Sequence, residues 1–375
     1  MYLLMNKDTE IARLNFKTSY GQDIFSIIEK NEQRFPYGFT DINTWIDSRS
    51  VAKHRRHIAE LIKMCNMETR TGLLNMTRGL SLNDTFWIKK SDSTLTWDEV
   101  SLYKNPFDEV ISRIAFDGVG MRGGRFSATS PEFSTGGNFE KCWIRQNDEI
   151  YLIKRGTYGA ANAGYEPYSE ALSTQLSEAF NVYHVSYELI DYHNKLASKC
   201  KLFTDEKKGF VTMNSYAIEK GKTTLEIEDV VNYCKPYGIE EDFFRMIVFD
   251  ALILNVDRHL GNYGFMVNNE SGKIVDFAPL FDHNLSLLPY LMEDDDVETY
   301  VNSLSPRIGT DFNETAKQVM TKSIQADLIN LKGFKFSDPG FGFPEWKLNT
   351  LNKIINRNIN QILGSHIYSL TENAR

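Results

Sequence analysis

The chain has 375 residues, 42% of them hydrophobic and 25% charged, with a net charge of −8 and a pI near 5.5. That length exceeds one ordinary hydrophobic core and suits two or three domains. The composition excludes a disordered tail, a collagen-like fibre and a membrane bundle. The acidic balance is the reverse of a dedicated nucleic-acid binder's, so no direct nucleic-acid binding is expected. No apolar stretch reaches the roughly 18 residues of a membrane helix; the best candidate, 246–256, is interrupted by Asp250 and Asn255. The opening MYLLMNKDTE has neither the basic start nor the apolar run of a secretory signal. Cys65, Cys142, Cys200 and Cys234 lie far apart with no CxxC pair, so they read as thiols of a reducing compartment, and the expected location is cytoplasmic.

Residues 1–115 mix helical pattern with loops, and Trp87 and Trp97 suggest a packed core of their own. Within this part, 48–67 places Val51, His54, Ile58, Leu61, Ile62 and Cys65 at helical spacing, which predicts an amphipathic helix with Lys53, Arg55 and Arg56 on its solvated face. Residues 117–168 are rich in Gly, Ser and Tyr. A hairpin is expected among them, 141–145 and 149–155 around the turn Gln146-Asn147-Asp148. A helix should follow over 166–180 with Pro167 in its first turn, then strand-like runs at 183–190 and 209–218. From Ile239 to Leu254 the pattern is helical with almost no polar face, as in a helix at the centre of a domain. It runs into Asn255-Val256-Asp257-Arg258-His259-Leu260-Gly261-Asn262. A second hairpin is expected at 263–267 and 273–277, closed by Pro279-Leu280-Phe281-Asp282. The rest reads as mainly helical, with an acidic loop around Asp294, Asp295 and Asp296.

The strongest chemical signal is DRHLGN at 257–262 followed by Asp282. An Asp, an Asn five residues on and a second Asp beyond a short hairpin make a set of hard oxygen ligands of the kind Mg2+ takes alongside phosphates and water. Phosphoryl transfer also needs a carboxylate to orient the attacking hydroxyl, and the Asp that opens D-x-x-x-x-N does this in kinases. The competing use of Asp257 and Asn262 is to cap a helix end and a turn. A second signal is Ser134-Thr135-Gly136-Gly137-Asn138-Phe139-Glu140-Lys141, directly before the first strand of the hairpin, where glycines let backbone N–H groups face phosphate oxygens. Gly118-Val119-Gly120-Met121-Arg122-Gly123 matches GxGxxG but sits in no strand–helix context, so it reads as a linker. Third, Lys154 ends the second strand and Glu170 follows sixteen residues later on the expected helix, as in a kinase lysine–glutamate pair. Glu166 is a rival partner, placed at the helix start. A different chemistry, a metallohydrolase cluster of Asp257, His259, Asp282 and His283, would leave the glycine loop and Lys154 without a task. His259 is more simply a structural histidine of the loop.

Taken together, STGGNFEK, Lys154, DRHLGN and PLFD resemble the HipA-like protein kinases, distant relatives of phosphatidylinositol kinases. The resemblance spans about 131–290 by motif. It implies an α+β, bilobal, protein-kinase-like fold with an added N-terminal domain: 1–128 accessory, 129–237 the N-lobe and 238–375 the helical C-lobe. It implies ATP and Mg2+ as cofactors and phosphorylation of protein Ser or Thr in a bacterial cytoplasm, with a protein substrate and an antitoxin-like or regulatory partner. By position, Asp257 is then the catalytic base, Asn262 and Asp282 the metal ligands, and Lys154 the ATP lysine with Glu170 as partner. Ser134, Thr135, Gly136, Gly137, Asn138 and Lys141 form the phosphate loop, with Ser134 or Thr135 open to autophosphorylation. Adenine is expected near 213–216. The loop departs from the family's usual Gly-Ala-Gln-x-Lys by reading Gly-Asn-Phe-Glu-Lys. Readings from other classes are an ATP-binding pseudokinase or regulatory scaffold, and a nucleotidyl-transferring or lipid-phosphorylating variant that Arg55 and Arg56 would serve.

Overall fold

The computed structural model describes residues 1–31, 34–49, 67–118, 130–137 and 139–372. Residues 50–66 of the expected amphipathic helix lie outside the described residues, with Arg55, Arg56 and Cys65 among them, as do Asn138 and residues 119–123 of the second glycine cluster. The architecture is α+β, as expected. The chain divides into two compact units: 1–154, 201–223 and 265–275 form the first, and 155–200, 224–264 and 276–375 the second.

The first unit opens with a four-stranded antiparallel sheet ordered β3-β2-β1-β4, made of β1 (Tyr2–Asn6), β2 (Thr9–Ser19), β3 (Gln22–Lys30) and β4 (Phe86–Lys90). This corrects the reading of 1–115 as helix and loop. Strand alternation is broken by register shifts at Leu4/Met5 and Arg13/Leu14. A bulge disturbs the two-residue alternation of faces, and Leu4 and Met5 are both buried, as are Ile11 and Ala12. Helices α1 (Ile42–Ser48) and α2 (Arg70–Thr77) supply Trp45, Ile46 and Leu74 to the core around Leu4, Leu14 and Phe25. A second cluster holds Trp87 and Trp97, the latter on α3 (Trp97–Val100), but it also takes in Ile150, with Trp143 and Leu202 packed against it, so it is not a core of residues 1–115 alone. Helix α4 (Glu109–Asp117) then precedes the hairpin β5 (Lys141–Gln146) and β6 (Glu149–Arg155). Its turn residues Asn147 and Asp148 both have positive φ, the pair of left-handed residues a two-residue turn requires.

Helix α5 (Glu166–Phe180) matches its expected bounds. The run expected at 183–190 becomes a strand only at Tyr187, and pairs as β7 (Tyr187–Tyr192) with β8 (Lys195–Lys201). The run expected at 209–218 is a strand only as far as β9 (Lys208–Thr212). Thr212 Oγ1 accepts the Ser215 N–H (3.1 Å) and caps α6 (Met213–Glu219), so 213–218 is helix, not strand. Met213 and Tyr216 are buried there, Tyr216 packed between Tyr37 and Phe265. After α7 (Ile227–Cys234) comes α8 (Glu240–Ile253), buried at Phe243 and from Met246 to Ile253. Its first turn carries Glu240, Glu241 and Asp242, favourable at the positive end of a helix. The second hairpin is β10 (Gly264–Asn268) and β11 (Ile274–Phe277), in the sheet order β11-β10-β9.

The remainder is helical as expected: α9 (Val297–Asn302), α10 (Phe312–Gln318), α11 (Lys322–Asn330) and α12 (Glu345–Glu372). Leu351, Ile354, Ile355, Asn358, Ile359 and Ile362 form the buried stripe of α12. Asn358 Nδ2 donates to the carbonyls of Ala251 and Leu252, which the last turn of α8 cannot satisfy within the helix.

Lys347 at the start of α12 is also buried, its ammonium donating to the carbonyls of Pro289 (3.1 Å) and Leu291 (2.8 Å) over the Tyr165 ring. Burial pushes its pKa down to about 8 from 10.5, against the opposing pull of Asp295 and Glu166. Between these two values the unfolded chain holds the proton and the folded chain does not, so this group adds stability as pH rises through that window. Urea unfolding at pH 8 and pH 10 should show wild type gaining stability relative to Lys347→Met. A constant difference between the two proteins would contradict the shift.

Candidate functional site

In the second unit, α8 ends at Leu254 with positive φ, and the chain turns sharply into 255–262. Asn255 shapes the turn: Nδ2 donates to Asp250 Oδ1 (2.9 Å), and Oδ1 accepts the Asp257 N–H (3.0 Å). Arg258, only 2% exposed, is the centre of the arrangement. Nε and Nη2 donate to the two oxygens of Asp250 (2.8 and 2.9 Å), and Nη1 to the carbonyls of Asn262 (2.9 Å) and Phe281 (2.8 Å). Nη2 also meets His283 Nδ1 at 3.2 Å. One planar fork thus joins the central helix, the 257–262 loop and the segment that carries Asp282. Lysine could not replace it, since a single ammonium has no fork of fixed donors.

Within the loop, Asn262 donates its N–H to the His259 carbonyl (2.8 Å) and Nδ2 to the Asp257 carbonyl (3.0 Å), which orients the amide oxygen as the end that can meet a cation. His259 Nδ1 accepts the Gly261 N–H (3.0 Å), and a Cβ on Gly261 would come within 2.9 Å of the imidazole. The glycine of DRHLGN therefore lets the ring fold onto its own loop. Asp282 adopts positive φ, and its N–H donates to the buried Tyr187 hydroxyl (3.1 Å). Burial pushes the Asp257 carboxyl above the usual carboxylate range; His259 pulls it down, Asp282 pushes it up, and Arg307 and Arg258 pull it down.

Both histidines of the metallohydrolase alternative thus have structural bonds through Nδ1. Among the described residues, no group of three or more His, Cys, Asp or Glu side chains could hold a metal ion. Asn262 and Asp282 each offer a hard oxygen, the ligand type that Mg2+ takes. Glu170 is buried and accepts a hydrogen bond from Ser198 Oγ. Its rival Glu166 is committed elsewhere: it accepts from Thr157 Oγ1 (2.6 Å), the Thr157 N–H (3.2 Å) and Tyr290 OH (2.9 Å), and so fastens the turn before α5.

The first unit carries the other expected residues. Residues Pro131–Ser134 form one turn of 3-10 helix around Glu132, which is 1% exposed. Its carboxylate accepts from Ser112 Oγ (2.8 Å), Ser130 Oγ and the Trp143 N–H (2.9 Å). Thr135 Oγ1 donates to the Pro131 carbonyl (2.8 Å) and accepts from Trp143 Nε1 (2.7 Å), whereas Ser134 Oγ makes a longer 3.3 Å bond to that carbonyl. Gly137 has positive φ, and a Cβ there would strike the Lys141 ammonium. Gly136 has neither constraint. Lys141 and Lys154 are directly opposite in the β5–β6 register, both buried.

Sequence reasoning missed Arg258 as the organiser, together with Asp250, Asn255, Tyr187 and Ser198. A signal for two of them was present: Asp250 and Asn255 interrupt an otherwise apolar helix, and a buried carboxylate calls for a charged partner.

The chain matches no protein-family model. It is 29% identical over 181 residues to the serine/threonine-protein kinase CtkA of Helicobacter pylori, an alignment that covers 44% of this chain and 55% of the relative. Similarity to a serine/threonine kinase is therefore shown in sequence. The HipA-like resemblance carried by the motifs agrees with it, and the chain spans about half the length of the curated relative it matches. Among solved structures, the crystal structure of the Helicobacter pylori proinflammatory kinase CtkA aligns with a TM-score of 0.49 and 18% identity over 64% of this chain and 94% of that one. The HipA, HipB and operator DNA complex of the Shewanella oneidensis toxin–antitoxin system aligns with a TM-score of 0.49 and 10% identity, over 97% of this chain and 98% of that one. No helix among the described residues is long and apolar enough to cross a membrane.

Proposed function

We propose that the chain is an ATP- and Mg2+-dependent serine/threonine protein kinase of the HipA-like type. One observation carries the reading: the buried Arg258 fork holds the Asp257–Asn262 loop and the Asp282 segment on one central helix. Asp257 is the base that orients the acceptor hydroxyl and takes its proton. Its pKa, raised by burial, gives it more affinity for that proton than an exposed carboxylate has. Asn262 and Asp282 would hold Mg2+, which would neutralise charge on the phosphates. Lys154 and Lys141 would meet phosphate oxygens, with Ser134, Thr135, Gly136, Gly137 and Asn138 as the phosphate loop and Glu170 as the helix carboxylate of the lysine. Residues 1–128 would be the accessory part, 129–237 the N-lobe and 238–375 the C-lobe. The substrate would be a cytoplasmic protein, and a regulatory partner of antitoxin type is part of the reading.

Incubation of the full chain with labelled ATP, with and without Mg2+, tests it directly. ATP with Mg2+ should also raise the melting temperature more than ATP with EDTA, because a ligand of the native state stabilises it by mass action. Equal shifts would count against the assigned ligands.

We further propose Ser134, ahead of Thr135, as the point of self-modification. The Thr135 hydroxyl is engaged on both sides, whereas the Ser134 hydroxyl makes the longer 3.3 Å bond. A phosphoryl group adds about −1.5 to −2 charge, here two residues from the buried Glu132 carboxylate, so the 3-10 turn should open and ATP affinity fall. Mass spectrometry after incubation with Mg-ATP should find phosphate on Ser134 and none in Ser134→Ala. An active enzyme with unmodified Ser134 would remove the site.

A further inference from the structure

Beside the 257–262 loop, wholly within the second unit, lies a cavity of about 710 Å³. Its catalytic-loop side is His259, Leu260 and Tyr263; Leu225 and Ile227 line it from the start of α7, and Ile308 from the chain before α10. Leu225, Ile227, Leu260 and Ile308 are only half-buried. Four apolar side chains left partly open around one hollow leave apolar surface that an occupant could cover. Nothing in the reading above uses this space.

The charges around it are unequal in placement. Arg307 lines it and acts on Asp257, favouring the ionised carboxylate. Glu226 and Glu228 line it from α7. Glu226 stands at the N-cap of that helix, where its N–H donates to the Asp229 carboxylate (3.1 Å). Glu228 is exposed and has neither an ion-pair nor a hydrogen-bond partner among the described residues. A cation brought in next to Asp257 would meet Arg307, whereas one at the α7 side would meet carboxylate.

We propose that this cavity receives the segment of the protein substrate next to the phosphoacceptor, with an apolar side chain inside and a lysine or arginine against Glu228. This rests on the kinase reading and names its substrate class: serine or threonine segments flanked by one apolar and one basic residue. The specificity combines attraction at Glu228 with repulsion at Arg307, so a misplaced basic residue is refused as well as a correct one accepted.

The test uses fluorescein-labelled serine peptides and the full chain, with binding read by anisotropy in the absence of ATP. One peptide carries leucine and lysine; in the second glutamate replaces the lysine, and in the third serine replaces the leucine. Wild type should bind the first about fivefold tighter than either control, the scale of an exposed charge contact or part of an apolar burial. Glu228→Gln should erase the preference for lysine over glutamate, Glu228→Lys should reverse it, and Ile308→Ser should weaken the preference for leucine. Equal affinity of wild type for all three peptides, no binding of any at millimolar concentration, or an unchanged order in Glu228→Lys would each overturn the proposal. Labelled ATP in parallel separates the two readings. Phosphotransfer without peptide discrimination sinks the cavity and keeps the kinase; discrimination without transfer does the reverse.

Discussion

Asp257→Asn should lower phosphotransfer by roughly 10²- to 10⁴-fold, the usual contribution of a general base, while Mg-ATP binding persists. The substitution keeps the side chain's size and removes its capacity to take a proton. Its effect on stability should run the other way. Burial and the neighbouring Asp282 both disfavour the ionised carboxylate, so the neutral amide relieves a cost and the variant should melt no lower than wild type. An acid whose folded-state pKa is raised loses stability as pH rises through the titration of the free and folded group, whereas activity rises over the same interval as the base ionises. The acid limb of the wild-type rate profile should therefore lie above the usual carboxylate range. Denaturant melts, ATP binding and initial rates on one preparation decide the matter. Full activity in Asp257→Asn would remove the residue from the mechanism, and a large loss of stability would make it a structural residue instead.

Arg258→Met should be among the most destabilising single changes in the second unit. It leaves the Asp250 carboxylate buried without its cation and removes the donors that meet the carbonyls of Asn262 and Phe281. Breaking one side of a buried pair costs about 3–5 kcal/mol, a large part of the roughly 5–15 kcal/mol that holds a typical protein folded. Urea unfolding should show this loss. Arg258→Lys, which retains charge and loses the fork, should recover only part of it. Because the fork joins the loop to the Asp282 segment, the lysine variant should also lose catalytic rate at temperatures where it remains folded. A lysine variant with wild-type stability and rate would show that charge alone suffices.

The parts legible in the sequence were those written in one contiguous segment. Pro167 and the apolar spacing after it placed α5, and Asn147-Asp148 placed the β5–β6 turn, because backbone preference acts on neighbours. The apolar run ending in DRHLGN placed the central helix and its loop for the same reason. Three features needed the folded chain. The β1–β4 sheet joins residues some eighty positions apart, and its bulges interrupt the alternation that would have announced it. The boundary between β9 and α6 was set by a hydroxyl of Thr212 reaching forward to Ser215, a choice that the apolar pattern of 209–218 does not encode. In the site, the spacing of Asp257, Asn262 and Asp282 named the candidate ligands, but Arg258 looked like any residue between two others. Its role appears only when Asp250 and Phe281, eight and twenty-three residues away, are brought to its two ends. A buried charge is stable only beside its partners, and which groups become partners is decided by packing in three dimensions.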